Sequence, residues 1–144
     1  MPKPGYVLLP HVTDAYVQAT GATFEQALES AGLALFDLMC DTNSISPTLT
    51  DDIEIRGADE TTLNYNWLEA LLLKFEIGGR VYSRFKVNPL KRFKDELRGS
   101  AKLRGEPYDR RKHGSKVEVK AVTFHKMEVV RGKSSTTVRF ILDL

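Results

Sequence analysis

The sequence lacks several features that would point directly to a class of protein. It has a single cysteine among 144 residues, Cys40, which excludes an intrachain disulfide and a cysteine-rich zinc site and fits a reducing cytosol. No apolar run approaches the roughly 18 residues of a membrane-spanning helix, and no basic segment with an apolar core marks a secretory signal. We therefore expect a cytoplasmic protein with no membrane association.

Common catalytic motifs are also missing. No glycine-rich loop that could hold phosphate groups follows a strand-like run, and neither HExxH nor GxSxG occurs. The three histidines, His11, His113 and His125, are widely spaced, so only folding could assemble a zinc site from them. The formal net charge of +2 is too small for a protein that coats nucleic acid.

The charges that are present are unevenly distributed along the chain. Acidic residues gather between positions 51 and 60, whereas positions 80 to 133 are rich in Lys and Arg, which favours a basic face on the second half. The densest basic run is Arg110, Arg111, Lys112 and His113, either a solvated loop or a contact for phosphate or an acidic partner. With only Tyr108 nearby, we expect weak or indirect RNA contact and no DNA binding.

Hydrophobic periodicity predicts two amphipathic helices. Thr23 offers an N-cap hydroxyl with Gln26 three residues later, and apolar residues then recur at three- and four-residue steps as far as Met39. Asp59 is placed to cap a second helix with a similar apolar stripe, in which Trp67 is expected to be a core residue. We interpret both stripes as core rather than as a cofactor groove.

The remaining periodic segments are typical of strands. They lie at residues 5–9, 14–20, 52–56, 81–87, 90–94, 97–104, 116–130 and 137–144, with loops at 41–50 and 105–114. A change of parity between Ala121 and Val122 indicates a β-bulge or a strand buried on both faces. Short links between the last five strands permit only antiparallel pairing. The prediction is one α+β domain over residues 1–144, with mainly antiparallel β-sheet and both helices packed on one face.

The two ends of the chain carry the residues that suggest a site. Asp14 lies between the first two strand-like runs, and Asp143 precedes Leu144 at the end of the last one. If these strands lie side by side, Asp14, Asp143 and the α-carboxylate after Leu144 share one pocket. Clusters of oxygen atoms suit hard cations such as Ca²⁺, Mg²⁺ or Mn²⁺. The alternative is that Asp14 forms a turn by bonding its own backbone.

Four stretches of the sequence resemble the archease family. They are Gly5–Asp14, Thr23–Met39, Trp67–Leu72 and, above all, Glu118–His125. The similarity runs in order over essentially the whole chain. It ends on the family's closing Asp and aliphatic residue, here Asp143 and Leu144.

The resemblance implies a function in tRNA splicing. Archeases are small activators of the RNA-splicing ligase RtcB, which joins RNA ends carrying a 2′,3′-cyclic phosphate or 3′-phosphate to a 5′-hydroxyl. A family member would be a non-catalytic protein that promotes guanylylation of the ligase, allowing multiple turnover and broader nucleotide use. The alternatives are a general chaperone for RNA-modifying enzymes, and a metal-dependent phosphoester hydrolase that uses Asp14, Asp143 and His11.

The resemblance also implies a divalent-metal site, often described as binding Ca²⁺, with Mg²⁺ or Mn²⁺ as alternatives. Its ligands would be Asp14, Asp143 and Leu144, the last through main-chain or terminal oxygens. Pro10 stands where the family commonly has an acidic residue, so one oxygen donor or supporting group is absent. The expected contacts with the ligase, or supports for the metal ligands, are His11, Asp109, Arg110, Arg111, Lys112, His113, Lys120 and His125.

Overall fold

The structure is a computed structural model that describes residues 5–10 and 14–144. Within these residues the chain forms eight strands and three α-helices. In chain order they are β1 Gly5–Leu9, β2 Ala15–Gly21, α1 Phe24–Met39, β3 Leu49–Gly57, α2 Glu60–Glu76, β4 Arg80–Val87, β5 Lys91–Arg92, β6 Leu97–Pro107, α3 Arg110–His113, β7 Ala121–Arg131 and β8 Thr136–Asp143. A short 3₁₀ turn occupies Thr42–Ser44. No helix in the described part of the chain is long and apolar enough to cross a bilayer.

The strands form two antiparallel sheets. The first sheet has the order β1-β2-β8-β7, and the second has the order β3-β6-β4, with β5 also paired to β6. The predicted α+β class is therefore confirmed, although the strands divide between two sheets rather than forming one. Because β2 and β8 are central neighbours, the first and last thirds of the chain meet in the first sheet.

Helix α1 begins where its capping residues predict. Thr23 Oγ1 accepts a hydrogen bond from the backbone N–H of Gln26 at 3.1 Å, and Gln26 Oε1 accepts one from the N–H of Ala22 at 3.0 Å. The predicted apolar stripe is buried, and the helix contacts β1, β2 and β8 of the first sheet and β4 of the second. One helix thus covers apolar residues from both sheets.

Helix α2 is capped by Asp59, whose Oδ1 accepts from the N–H of Thr62 at 2.8 Å. Its buried face carries Trp67, whose indole Nε1 donates to the main-chain oxygen of Leu28 in α1 at 2.8 Å. The ring also meets Phe85 of β4 edge-on, with ring centroids 6.2 Å apart. Trp67 is therefore a core residue that joins both helices to the second sheet, as predicted.

Two predicted loops are more ordered than the sequence indicated. The segment predicted as a loop at 41–50 contains the 3₁₀ turn, and β3 already begins at Leu49. The charged segment 105–114 was wrongly predicted as a loop, because β6 continues to Pro107 and the basic run forms the helical turn α3.

The long strand predicted from residue 116 begins at Ala121 instead. The backbone N–H groups of Lys116 and Val117 donate to the main-chain oxygens of Met39 and Leu38 at 2.9 and 3.1 Å, so this segment satisfies carbonyls at the end of α1. The predicted irregularity of β7 is confirmed a few residues later, where the register with β8 shifts between Thr123 and Glu128.

Candidate functional site

The pairing of β2 with β8 brings the two expected metal-binding carboxylates to the same end of the first sheet. Ala15 of β2 is paired with Leu142 of β8, and Asp14 and Asp143 lie one residue beyond this pair on the two neighbouring strands. Asp143 is exposed and Asp14 is half-buried. The sequence made a shared pocket conditional on these strands lying side by side, and the structure meets that condition.

The start of β7 lies at this same end. Ala121 is paired with Asp143, and the N–H of Lys120 donates to the main-chain oxygen of Asp143 at 2.7 Å. Lys120 is exposed, and Leu144 packs partly against the core. Lys120 is therefore the partner-contact candidate that the fold brings beside the proposed metal ligands. His11 lies outside the described residues.

The oxygen ligands at this end of the first sheet are of the chemical types that hard cations bind. Asp14 and Asp143 offer carboxylate oxygens and Leu144 offers a main-chain oxygen, which are the ligand types that Ca²⁺, Mg²⁺ and Mn²⁺ prefer. Across residues 5–10 and 14–144, no three His, Cys, Asp or Glu side chains group together to hold a metal ion. Because Ca²⁺ takes about six to eight oxygens, water or a partner would have to supply the remaining ligands.

A second polar cluster is built around Glu106, at the end of β6. Its Oε2 accepts a hydrogen bond from the N–H of Ser46 at 2.9 Å and lies 2.8 Å from both His113 Nε2 and Lys112 Nζ, the latter as an ion pair. Its Oε1 accepts a hydrogen bond from Lys112 Nζ at 3.0 Å. Lys112 Nζ also donates to Ser46 Oγ at 2.9 Å. These contacts join α3 to Ser46, in the segment between α1 and β3. They also lower the pKa of the Glu106 carboxyl from 4.5 to about 2, with the Lys112 hydrogen bond as the main cause.

His113 is held inside this cluster. The backbone N–H of Asp109 donates to His113 Nδ1 at 2.9 Å, so Nδ1 is an acceptor and Nε2 carries the proton that is donated to Glu106. The side chain is only 1% exposed. His113 therefore stabilises the α3 turn, and its role as a partner contact or a support for the metal ligands stays a prediction.

The other residues of the basic run differ from one another in their surroundings. Asp109 caps α3 by accepting from the N–H of Arg111 at 3.0 Å. Arg110 and Arg111 are exposed, and no ion pair to either is found among the described residues. Lys112 is bound to Glu106 and Ser46, as given above. Lys112 is exposed as well, so the cations of this turn that are exposed and in no ion pair within the described residues are Arg110 and Arg111.

His125 is exposed in the irregular stretch of β7. Its neighbour Phe124 is 53% exposed and stacks on Tyr65 of α2, with ring centroids 4.0 Å apart and planes at 8°. His125 lies in β7, five residues after Lys120 in the sequence. Among the described residues, no contact joins His125 to the Asp109–His113 turn.

The second sheet carries a basic surface within the range 80–133 in which the sequence predicted a basic face, at residues that the sequence did not single out. Arg84 and Lys86 of β4 and Lys102 and Arg104 of β6 are all exposed and point to the face that the helices do not cover. The signal was present, since basic residues alternate with apolar or small ones in both strands. The register between β4 and β6 then places these side chains side by side.

Comparison with known proteins identifies the family. A model of the Archease protein family (MTH1598/TM1083) matches residues 6–144. The chain belongs to the archease family. The archease of Methanopyrus kandleri is 38% identical over 137 residues, covering 94% of this chain and 96% of the relative. The archease of Pyrococcus furiosus is 41% identical over 122 residues, covering 84% of each chain.

Solved structures have the same fold. The solution structure of a Methanobacterium thermoautotrophicum protein superposes with a TM-score of 0.82 at 31% identity, covering 97% of this chain and 99% of that chain. A crystal structure described as an archease and possible chaperone from Thermotoga maritima has a TM-score of 0.60 at 18% identity, covering 100% and 98%. At that identity, the second comparison supports the fold alone.

Proposed function

We propose that this member of the archease family is a non-catalytic activator of the RNA-splicing ligase RtcB. It promotes guanylylation of the ligase, so that the ligase turns over repeatedly and uses a broader set of nucleotides during tRNA splicing. Family membership supports this proposal. The structural observation that carries it is the pairing of β2 with β8, which sets Asp14 and Asp143 at one end of the first sheet.

A divalent cation is the proposed cofactor at this end. Asp14, Asp143 and a main-chain oxygen of Leu144 would hold it, and Ca²⁺ is the first choice because these oxygen donors form a loose set with room for further ligands. The ion would supply positive charge to an anionic group of the ligase or its nucleotide. Lys120 lies at the same end of the sheet and adds a second positive charge there.

The exposed pair Arg110 and Arg111 is the proposed secondary contact with the ligase. The cluster around Glu106 holds this turn in place from beneath, so the two guanidinium groups are presented on an ordered support. Charged groups at the rim of an interface raise the association rate more than they raise affinity. The contribution of Arg110 and Arg111 to the rate of association with the ligase should therefore diminish as salt is added.

A multiple-turnover RNA ligation assay tests the proposal. Purified RtcB ligase, GTP and an RNA pair with 3′-phosphate and 5′-hydroxyl ends are combined with substoichiometric amounts of this protein. Activation implies that ligated RNA accumulates far beyond one equivalent of ligase only when this protein is present. Turnover of phosphoester substrates by this protein alone would instead identify a metal-dependent hydrolase.

The assay also separates activation from a general chaperone effect. A chaperone effect predicts that ligase incubated without this protein loses guanylylation at the same rate as it loses folded structure. Protection of the ligase from unfolding would then explain the higher activity seen with this protein. Under the proposed function, stably folded ligase remains inactive over multiple turnovers until this protein is added. Circular dichroism of the ligase, recorded beside the ligation time course, distinguishes the two outcomes.

A further inference from the structure

The outward face of the second sheet carries like charges directly opposite one another. Arg84 is paired with Arg104, and Lys86 is paired with Lys102, across β4 and β6. Like charges in cross-strand pairs destabilise a sheet. Lys102 is partly neutralised by Asp52 at 2.8 Å, but no ion pair to the other three is found in the described residues. Such an arrangement is costly to the fold and is explained if an anion binds across it.

A cavity of about 520 Å³ lies on the same sheet, beside the short strand β5. Phe93 in its wall is 45% exposed, and the guanidinium of Arg98 lies 4.4 Å from the centre of the phenyl ring. Asn88 and Ser100 also line the cavity and are joined by a hydrogen bond of 3.0 Å. Arg98 is also paired with Glu96 at 2.8 Å, and Glu54 lines the cavity. The cavity therefore combines an exposed aromatic ring with hydrogen-bonding groups and charged groups of both signs.

Strand β6 connects the cavity to the basic pairs. Arg98, Ser100, Lys102 and Arg104 are every second residue of this strand and are all exposed on one face. A two-residue step along a strand is about 6.8 Å. This step is comparable with the separation of successive phosphates in an extended nucleic acid chain. The surface thus has a row of charges at one end and a stacking site at the other.

We propose that this outward face of the second sheet binds single-stranded RNA. Phosphates lie along Arg84, Lys86 and Arg104, and one base enters the cavity to stack on Phe93. Stacking on an aromatic ring combined with a basic track is how proteins bind single strands without strong sequence preference. A duplex keeps its bases stacked inside and cannot use Phe93, and the carboxylates of an acidic protein surface would pair with the cations without stacking on Phe93.

RNA rather than DNA is favoured by the polar groups in the cavity. The Asn88 amide and the Ser100 hydroxyl can donate to or accept from a ribose 2′-hydroxyl, which DNA lacks. Asp52 and Glu54 border the same face, so the affinity should remain modest. The inference is independent of the ligase, because it concerns the isolated protein and is measured without the ligase.

The test is fluorescence anisotropy with a labelled, unstructured RNA of about 12 nucleotides, titrated with the full-length protein over a range of salt concentrations. Contacts with the three phosphates at Arg84, Lys86 and Arg104 predict a slope of about −2 for log K against log salt. The double variant Arg84→Gln, Lys86→Gln should make this slope shallower by about 1.4. Phe93→Ala should weaken binding about tenfold and leave the slope unchanged, whereas Phe93→Trp should restore binding.

A matched control removes two positive charges from β7 and from its link to β8. Lys126→Gln, Lys133→Gln lowers the net charge equally and should bind RNA as the unchanged protein does. The proposal is overturned if this control weakens binding as much as the β4 variant. It is also overturned if Phe93→Ala leaves the RNA affinity unchanged. Equal competition by heparin, duplex RNA and single-stranded RNA would overturn it too, since any polyanion would then bind. Unchanged circular dichroism spectra establish that each variant is folded.

Discussion

His113 Nε2 donates to Glu106 Oε2 across 2.8 Å, and both residues bind the segment that follows α1, since the N–H of Asp41 donates to the main-chain oxygen of His113. Glu106 accepts from Ser46, 60 residues earlier, while the Asp109 backbone fixes the other ring nitrogen of His113. A basic run that resembles a solvated loop is therefore an ordered helical turn. Its stability should depend on the charge of Glu106.

The first prediction concerns the pH dependence of stability. The pKa of Glu106 is lowered to about 2 in the folded protein, from an ordinary value of 4.5. Its contribution is therefore fully present above the ordinary value and is lost as pH falls from about 4.5 towards 2. Glu106→Gln should lower the melting temperature near neutral pH, and the difference from the unchanged protein should shrink across this acid range.

Thermal unfolding followed by the fluorescence of Trp67, the only tryptophan, measures this difference. Asp95→Asn neutralises an exposed carboxylate in the link between β5 and β6 and is the control. Its melting temperature should change with pH in parallel with that of the unchanged protein. Equal melting temperatures for Glu106→Gln and the unchanged protein at neutral pH would contradict the structural role of Glu106.

The second prediction separates the cations of the basic turn. Arg110→Gln, Arg111→Gln should weaken association with the ligase at low salt and leave the melting temperature unchanged, because both side chains are exposed. Lys112→Met should lower the melting temperature by about 2–4 °C, because Lys112 binds Glu106 and Ser46. Surface plasmon resonance and calorimetry give the two quantities. The opposite pattern, a destabilised arginine variant and a neutral Lys112→Met, would refute the assignment.

Much of the fold could be predicted because its signals are local. The cap of α1 depends on Thr23 and Gln26, three residues apart, and Asp59 is equally close to the helix it caps. The pairing of β2 with β8 could be stated only as a condition, since it joins residues at opposite ends of the chain. The structure meets that condition.

The features that were missed depend on contacts between distant residues. Nothing near Glu106 in the sequence indicates that Ser46 lies against it, so the turn at Arg110–His113 was predicted as a loop. A basic face was predicted on the second half of the chain, but its composition depends on the register that pairs Arg84 with Arg104, which alternation within one strand cannot give. Residues 116–120 were wrongly predicted as strand. The backbone hydrogen bonds of Lys116 and Val117 to the end of α1 join distant parts of the chain, so the local sequence pattern does not indicate them.

The third prediction tests how the two helices are joined. Trp67→Phe removes the hydrogen bond to the main-chain oxygen of Leu28 and leaves a small void in a fully buried site. We expect the free energy of unfolding to fall by about 1–3 kcal/mol. Urea denaturation followed by circular dichroism measures it. Tyr65→Phe, on the half-buried side of the same helix, should change it by less than about 1 kcal/mol, and an equal loss in both variants would count against the role of Trp67.

The fourth prediction concerns the proposed metal site directly. Asp14→Ala and Asp143→Ala each remove one charged oxygen ligand from a set that is already small, so each should abolish activation of the ligase. Both variants should remain folded, because the buried faces of α1 and α2 do not depend on carboxylates at the end of the sheet. Isothermal titration with Ca²⁺, Mg²⁺ and Mn²⁺ should show binding by the unchanged protein and its loss in both variants. Glu76→Ala, which removes an exposed carboxylate at the end of α2, should behave as the unchanged protein does.

The most direct measurement is the multiple-turnover ligation rate with Asp14→Ala, Asp143→Ala and the double variant compared in one experiment. Two ligands of one ion act as a unit, so the double variant should be hardly worse than either single variant. Each should leave the ligase near its rate without this protein. A fully active Asp143→Ala protein, or losses that simply add in the double variant, would contradict the account of a shared metal site at the end of the first sheet.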